Sequence, residues 1–350
     1  MQMPKRAPSL SEAGKALIDP ELIQKLFTQG FRPEVEGGYP HWDELRRRKP
    51  PKGLTVDTWW LTIVGARSVL RKDLPLKATA TENFWFARTE GLERRLHDID
   101  RRMASRLEVV DPSLATEADR DRYIIRSLAE EAITSSQLEG AATTRKVAKD
   151  MLLSGREPRT TDEKMIANNF KAMSIIREWQ HDPLRPDRII ELHRILTQGA
   201  LDGGDSGRIR RKDEPVMVQE KGTGQVLYIP PDATELEERM DQLCRFANAT
   251  DGETFLHPVV RAVLIHLMVA YDHPFVDGNG RTARALFYWS MLRQNYWMAE
   301  FLSISRIIQK APAKYARAFL HTETDHFDAT YFVWHQLETI QQAIDGLDEY

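Results

Sequence analysis

Residues 256–271 are almost continuously apolar, interrupted inside the run by little more than Arg261 and His266. A stretch of this length with no polar stripe predicts a helix buried on most of its sides. It stops short of the roughly 18 apolar residues of a membrane span. Pro274 cannot continue a helix interior. The following Asp277-Gly278-Asn279-Gly280 supplies residues that tolerate left-handed backbone. Arg281 then opens a good helix start. The expected local structure is therefore buried helix, tight loop, second helix.

The rest of the chain from about residue 82 repeats apolar residues at helical spacing. Leu92, Leu96, Ile99 and Met103 form one face, and Ile124, Leu128 and Ala132 another. Ile166, Phe170, Met173 and Ile176 make a third, and Ile189, Leu192 and Leu196 a fourth that starts near Pro186. Leu236, Met240, Leu243 and Phe246 follow, with Thr234 and Glu237 spaced as a capping box. Val333, Leu337, Ile340 and Ile344 predict a last helix. One segment breaks the rhythm. Residues 215–219 and 225–229 favour strands, a Gly-rich loop separates them, and Pro230-Pro231 ends the pairing, so a β-hairpin is expected. Val216 and Val218 on its first strand are candidates to hold a peptide by strand addition.

Residues 30–80 read as an irregular accessory region, and the first 20 or so as a mobile polar arm. Arg46-Arg47-Arg48-Lys49 reads as a solvated loop rather than a binding patch. Trp59 and Trp60 read as core. Among 350 residues, 49 Lys and Arg stand against 52 Asp and Glu, a net charge of −3, which gives no electrostatic case for nucleic acid. The lone Cys244 excludes an internal disulfide and fits a reducing, cytoplasmic setting. The N-terminus has no continuous apolar segment of the secretory kind, so neither export by that route nor a membrane partner is expected.

The chemistry concentrates in His273-Pro274-Phe275-Val276-Asp277-Gly278-Asn279-Gly280-Arg281-Thr282-Ala283-Arg284. Loop N–H groups at a helix N-terminus favour an anion, typically phosphate. Arg281 and Arg284 add positive charge on one helix face. Asp277 is a hard oxygen ligand suited to Mg²⁺ carried by phosphates. His273 takes a proton near neutral pH. These are the parts that phosphoryl or nucleotidyl transfer needs.

This stretch resembles the Fic-domain signature at each of its fixed positions. Ser135-Ser136-Gln137-Leu138-Glu139-Gly140 is similar to the family's inhibitory pattern, placed N-terminal to the catalytic motif. The resemblance, over roughly residues 120–345, implies a mostly α Fic-fold helical bundle with a small β-hairpin flap; the N-terminal accessory region lies outside it. The expected division is the accessory region over 1–80, a helical region with the inhibitory segment over 81–160, and a catalytic core over 161–350. It implies a nucleotidyltransferase, a protein adenylyltransferase carrying out AMPylation of a target protein's Ser, Thr or Tyr with ATP and Mg²⁺ or Mn²⁺. His273 is then the base and Asp277 the metal ligand. Gly278, Asn279, Gly280 and Arg281 form the phosphate nest, and Arg284 holds the γ-phosphate. Ser135, Glu139 and Gly140 form the inhibitory segment, with Glu139 paired to Arg284. Adenine is expected near residues 305–317, with Lys310 and Tyr315 as candidates. Two other readings stay open: a de-AMPylating hydrolase using the same site, and a nucleotide-sensing regulatory binding protein. A homodimer also stays open. His266 reads as a core histidine, and His321 and His326 as loop residues rather than a metal cluster.

Overall fold

A computed structural model describes residues 2–9, 11–12, 32–103, 117–201, 204–220, 222–249 and 255–347. Among these residues the chain runs α1 (Trp42–Leu45), α2 (Val56–Val69), β1 (Arg71–Lys77), β2 (Asn83–Ala87), α3 (Glu90–Met103), α4 (Glu117–Leu138), α5 (Arg145–Ser154), α6 (Thr161–Glu178) and α7 (Pro186–Thr197). It continues through β3 (Val218–Gln219), β4 (Val226–Tyr228), α8 (Leu236–Ala247), α9 (Pro258–Asp272), α10 (Asn279–Arg293), α11 (Ile304–Lys310), α12 (Pro312–Thr324) and α13 (Thr330–Asp345). The mostly helical architecture expected from the periodicity is the one found.

Contacts divide the chain into two units, residues 1–97 with 313–337 and residues 98–312 with 338–350. This differs from a division at 80 and 160. Segment 313–337 joins the N-terminal region because Ala329 N–H donates to Trp85 O at 2.8 Å and Ala7 N–H to Thr324 O at 2.8 Å. The same contact changes the reading of the arm. Ala7 is buried, and Pro8 O accepts from Trp60 Nε1 at 3.0 Å. The rest of the expected arm, from residue 13, lies outside the described residues.

In the first unit, Trp42, Leu45, Trp60, Leu61 and Ile63 form a core cluster, as expected for Trp60, while Trp59 packs at its edge. The basic run is spent locally, Arg46 and Arg47 on Asp43 at 2.9 and 2.8 Å and Arg48 on Glu36 at 3.4 Å. β1 and β2 pair antiparallel, Arg71 opposite Ala87 and Asp73 opposite Trp85, with a register shift before Lys77. Pro75 lies in the shifted stretch, where a residue without an N–H is tolerated. Arg67 is buried beneath the Tyr39 ring, 3.5 Å from its centroid.

In the second unit, α9 and α10 pack on each other, and each buries 13 of its 15 residues. That is the buried helix of the sequence reading, joined to an equally buried successor. Arg261 fits inside because its guanidinium donates to Phe246 O and lies 4.8 Å over the Phe246 ring. Pro258 and Pro186 occupy the first helical positions of α9 and α7, where a missing N–H costs nothing. α6 and α7 pack on α10, and α4 packs on α6 and α11. The cap near α8 is not Thr234. Asp232 accepts from the Thr234 N–H at 2.9 Å and its hydroxyl at 2.7 Å, so a short 3₁₀ turn precedes α8. Among the described residues no helix is long and apolar enough to cross a membrane.

Candidate active site

α9 ends in a left-handed turn at His273, with φ 46° and ψ 56°. This aims the imidazole out of the helix, where it is half-buried. Nδ1 lies 2.8 Å from Ala270 O. A carbonyl only accepts, so Nδ1 carries the proton and Nε2 keeps a free lone pair. Burial holds the His273 pKa below the usual histidine value, against the raising pull of Glu139 and Asp277. The ring is thus neutral near neutral pH, with its basic nitrogen fixed by the helix end.

The loop after His273 is closed from inside. Asn279 Nδ2 donates to Phe275 O at 2.8 Å, and Phe275 N–H donates to Asn279 Oδ1 at 2.9 Å. The Asn279 side chain is committed to the loop itself, which leaves only its backbone for a phosphate nest. Phe275 is fully buried and stacks on His193, centroids 3.7 Å apart and planes within 4°. His193 Nδ1 accepts from Gly207 N–H at 3.0 Å, so Nε2 carries the proton and donates to Asp277 O at 2.9 Å. Burial pushes the His193 pKa down to about 4, which keeps this tautomer neutral. Gly278 has φ 83°, and a Cβ there would lie 3.0 Å from Thr197 Cγ2 and 3.3 Å from His193 Nε2. Conformation and space both require glycine.

α10 begins beside this loop. Arg281 is buried, donates from Nη1 to Leu196 O at 2.9 Å, and reaches the exposed Asp277 carboxylate at 3.5 Å. Its Nε is buried with no hydrogen-bond partner among the described residues. An unmet donor of this kind is costly unless a ligand completes it.

One turn on, Arg284 is gripped by the end of α4. Its Nε donates to Ser135 Oγ at 2.8 Å, and Nη2 donates to Ser135 O at 3.0 Å and to Glu139 Oε1 at 2.6 Å. α4 terminates with Gly140 at φ 113° and Ala141 N–H donating back to Ser136 O at 3.0 Å. This turn presents Glu139 toward α10. A Cβ on Gly280 would stand 2.1 Å from Glu139 Oε1. The carboxylate therefore rests against the bare Cα of Gly280, at the helix N-terminus where an anion is favoured.

The hairpin upstream is shorter than expected. Val218 pairs with Tyr228 and Gln219 with Val226, while Val216 precedes the paired residues. The Tyr228 ring lies 4.7 Å from Tyr271 on α9. Arg210 ties the hairpin's end to the loop. Its N–H donates to Pro274 O at 2.9 Å, its Nε to His273 O at 2.9 Å, and its Nη2 to Pro231 O. Of the adenine candidates, Lys310 ends α11, and Tyr315 belongs to the first unit, 5.1 Å from Phe319. His266 is buried, as read. His321 stacks on His41 at 4.3 Å, and no cluster of three metal-ligating side chains occurs among the described residues.

Comparison with known proteins bears on the same residues. Residues 183–291 match the Fic/DOC family. This part of the chain is a Fic domain. Over 108 residues the chain is 38% identical to protein adenylyltransferase Fic of Drosophila melanogaster, which covers 31% of this chain and 20% of that protein. Over 182 residues it is 29% identical to protein adenylyltransferase fic-1 of Caenorhabditis elegans, 51% of this chain and 33% of the relative. The chain thus spans a fifth to a third of the length of these relatives. A Fic family protein from Desulfovibrio desulfuricans superposes with a TM-score of 0.59 at 22% identity, over 74% of this chain and 73% of the other. Fic-1 from C. elegans gives 0.53 at 21%. At these identities the likeness shows the fold, which is the expected Fic fold.

Sequence reasoning missed His193, Arg210 and Glu131. Glu131 is fully buried on α4 and accepts from Ser303 Oγ at 2.9 Å, Ser305 N–H at 3.0 Å and the Ser305 hydroxyl. Burial raises its pKa, and these bonds work against the rise. It fixes α4 to the start of α11. A glutamate within an apolar face was its one signal.

Proposed function

We propose that the chain is a protein adenylyltransferase held at low activity by its own Glu139. The observation that carries this reading is the Glu139 carboxylate against Gly280 and Arg284, an internal anion at a helix N-terminus beside a histidine poised as a base. The residues present fit a nucleotide: an unmet Arg281 Nε donor, a glycine surface at Gly280 and an exposed Asp277 carboxylate.

In the proposed reaction His273 Nε2 takes the proton of a target Ser, Thr or Tyr hydroxyl. The hydroxyl oxygen forms a bond to the α-phosphorus of ATP, the bond from that phosphorus to the α,β-bridging oxygen breaks, and pyrophosphate leaves. Backbone N–H groups of residues 278–281 and the Arg281 guanidinium stabilise the charge on the phosphates. Asp277 is the residue to hold Mg²⁺ or Mn²⁺, which when bound neutralises charge on the leaving pyrophosphate. Arg284 serves the γ-phosphate once Glu139 withdraws. Val216 and Val218 would align a target segment along the hairpin edge. The proposed setting is a reducing cytoplasm, which the lone Cys244 fits.

A second reading, removal of AMP from a modified protein, is favoured by one fact: the Glu139 charge acts on His273 itself. Glu139 would then orient a water. One experiment separates the two. ATP labelled at the α-phosphate is incubated with Mg²⁺ and a cell lysate, comparing wild type, Glu139→Gly and His273→Ala. The proposal expects strong labelling by Glu139→Gly and none by His273→Ala. Absence of labelling by a folded Glu139→Gly chain overturns it, and loss of AMP removal in the same variant supports the second reading.

A further inference from the structure

α4 has two working faces. One carries Ser135, which holds Arg284. Glu130 and Arg126 lie five and nine residues earlier, roughly 140° and 180° around the helix. That opposite face lines a cavity of about 390 Å³, whose other walls are α5, the start of α11 and the end of α13. All of it belongs to the second unit. Its volume lies within the range of roughly 300–1,000 Å³ typical of small-molecule sites.

The charge in this cavity is one-sided. Arg122, Arg126, Arg145, Lys149 and Arg306 line it, against Glu130 as the sole carboxylate among its described lining residues. Arg145 pairs with Glu130 Oε2, while Arg126 and Lys149 make no ion pair among the described residues. Like charges converging on a cleft repel one another and focus a positive field into it, and an anion relieves both costs. Arg and Lys around a concave site suit phosphate oxygens, which accept several charge-assisted hydrogen bonds at once.

A second feature narrows the ligand. Glu130 Oε1 is buried and has no hydrogen-bond partner among the described residues. A carboxylate oxygen left unmet inside a cationic cavity calls for a donor, which the phosphoryl group of an ester, largely dianionic at neutral pH, barely supplies. The ligand therefore needs an anionic end for the arginines and a hydroxyl for Glu130. We infer that the cavity behind α4 is a binding site for a phosphorylated small molecule bearing hydroxyl groups, separate from the motif loop and independent of the transfer reaction proposed above.

The test is titration calorimetry of the full chain with ribose 5-phosphate and with inorganic pyrophosphate. Ribose 5-phosphate binds wild type and Arg281→Ala with equal affinity, because the motif loop is not its site. Arg126→Glu/Lys149→Glu weakens it at least about tenfold, as expected when two charge-assisted contacts are reversed. Both positions are exposed, so the fold tolerates the change, and the milder Lys149→Ala shows the same trend. Glu130→Ala weakens ribose 5-phosphate and tightens pyrophosphate, since it removes the acceptor and the negative charge together. Three results overturn the inference: no binding at millimolar ligand, loss of binding in Arg281→Ala with full binding in Arg126→Glu/Lys149→Glu, or tighter binding of an acidic peptide or an RNA oligonucleotide than of either phosphate.

Discussion

Arg67 and Arg284 are almost equally hidden, 1% and 2% exposed, yet they are held in opposite ways. Arg67 donates to Pro33 O, Pro40 O and the Tyr331 hydroxyl at 3.1, 3.0 and 2.7 Å, beneath the Tyr39 ring. Behind them Tyr39 donates to Asp328 and Tyr331 to Asp325, both at 2.6 Å. Nothing there can leave without unfolding the region. Arg284 is held by Ser135 and by Glu139, whose side chain is 25% exposed in the turn just past the end of α4. Its neighbour Arg281 keeps a buried donor unmet. A buried cation completed by rigid backbone and core phenols is structural. One completed by a side chain that can swing away is poised for exchange.

The largest effect expected from breaking this contrast is in the Arg67 cluster. Arg67→Ala leaves Asp325 and Asp328 buried without their cation, and loss of one partner of such a group costs about 3–5 kcal/mol. Urea unfolding followed by tryptophan fluorescence should show it. A loss below about 1 kcal/mol would place Arg67 in the same exchangeable class as Arg284.

Next comes Glu139→Gly. A charge-assisted hydrogen bond is worth about 1.5–3 kcal/mol, so its removal should raise adenylyl transfer roughly 10- to 100-fold. Arg284→Ala added to it should cancel the gain. A gain that survives in the double variant would detach Glu139 from Arg284.

A smaller effect is expected at His193. His193→Phe keeps the stack on Phe275 and deletes the bonds to Asp277 O and Gly207 N–H. We expect about a tenfold fall in transfer, from one misplaced loop carbonyl, with binding of a target peptide unchanged. Equal activity would make His193 mere packing.

The smallest effects are in pH. Burial lowers the His273 pKa, so the rate should hold as pH falls to 6.5 and decline only below it, where Nε2 protonates. In the first unit, burial pushes His321 down to about 4 and His41 to about 2. Their unfolded forms take protons first, near the ordinary histidine value of about 6.5. The histidine contribution to the stability of that unit should therefore be full above 6.5 and fall as pH drops toward 4, opposed by Glu323 and Asp328, which burial raises to about 8 and about 6. Urea midpoints from pH 7 to 4, wild type beside His321→Gln, check the sign of the histidine part.

What could be read from the chain follows the same division. Residues 273–284 were legible because base, carboxylate, glycines and arginines are contiguous, and α9 because it has no polar stripe. Glu139 was legible only through the family pattern, since nothing local says that it meets an arginine 145 residues away. His193 was not legible. It is a single histidine on a helix, and its partners arrive from residues 207 and 277. The β1–β2 hairpin was hidden because Arg71, Lys72, Asp73 and Pro75 disguise the alternation of Leu74 and Leu76.

The discontinuous first unit has a consequence for synthesis. β2 ends at Ala87, yet the residues that complete its surroundings begin at Ala313. A ribosome adding about 5–20 residues per second takes roughly 10–45 s to cover that interval. Throughout it, Phe84, Trp85 and Phe86 have been made but not yet covered, so the nascent N-terminal hairpin presents three aromatic side chains to chaperones for that time.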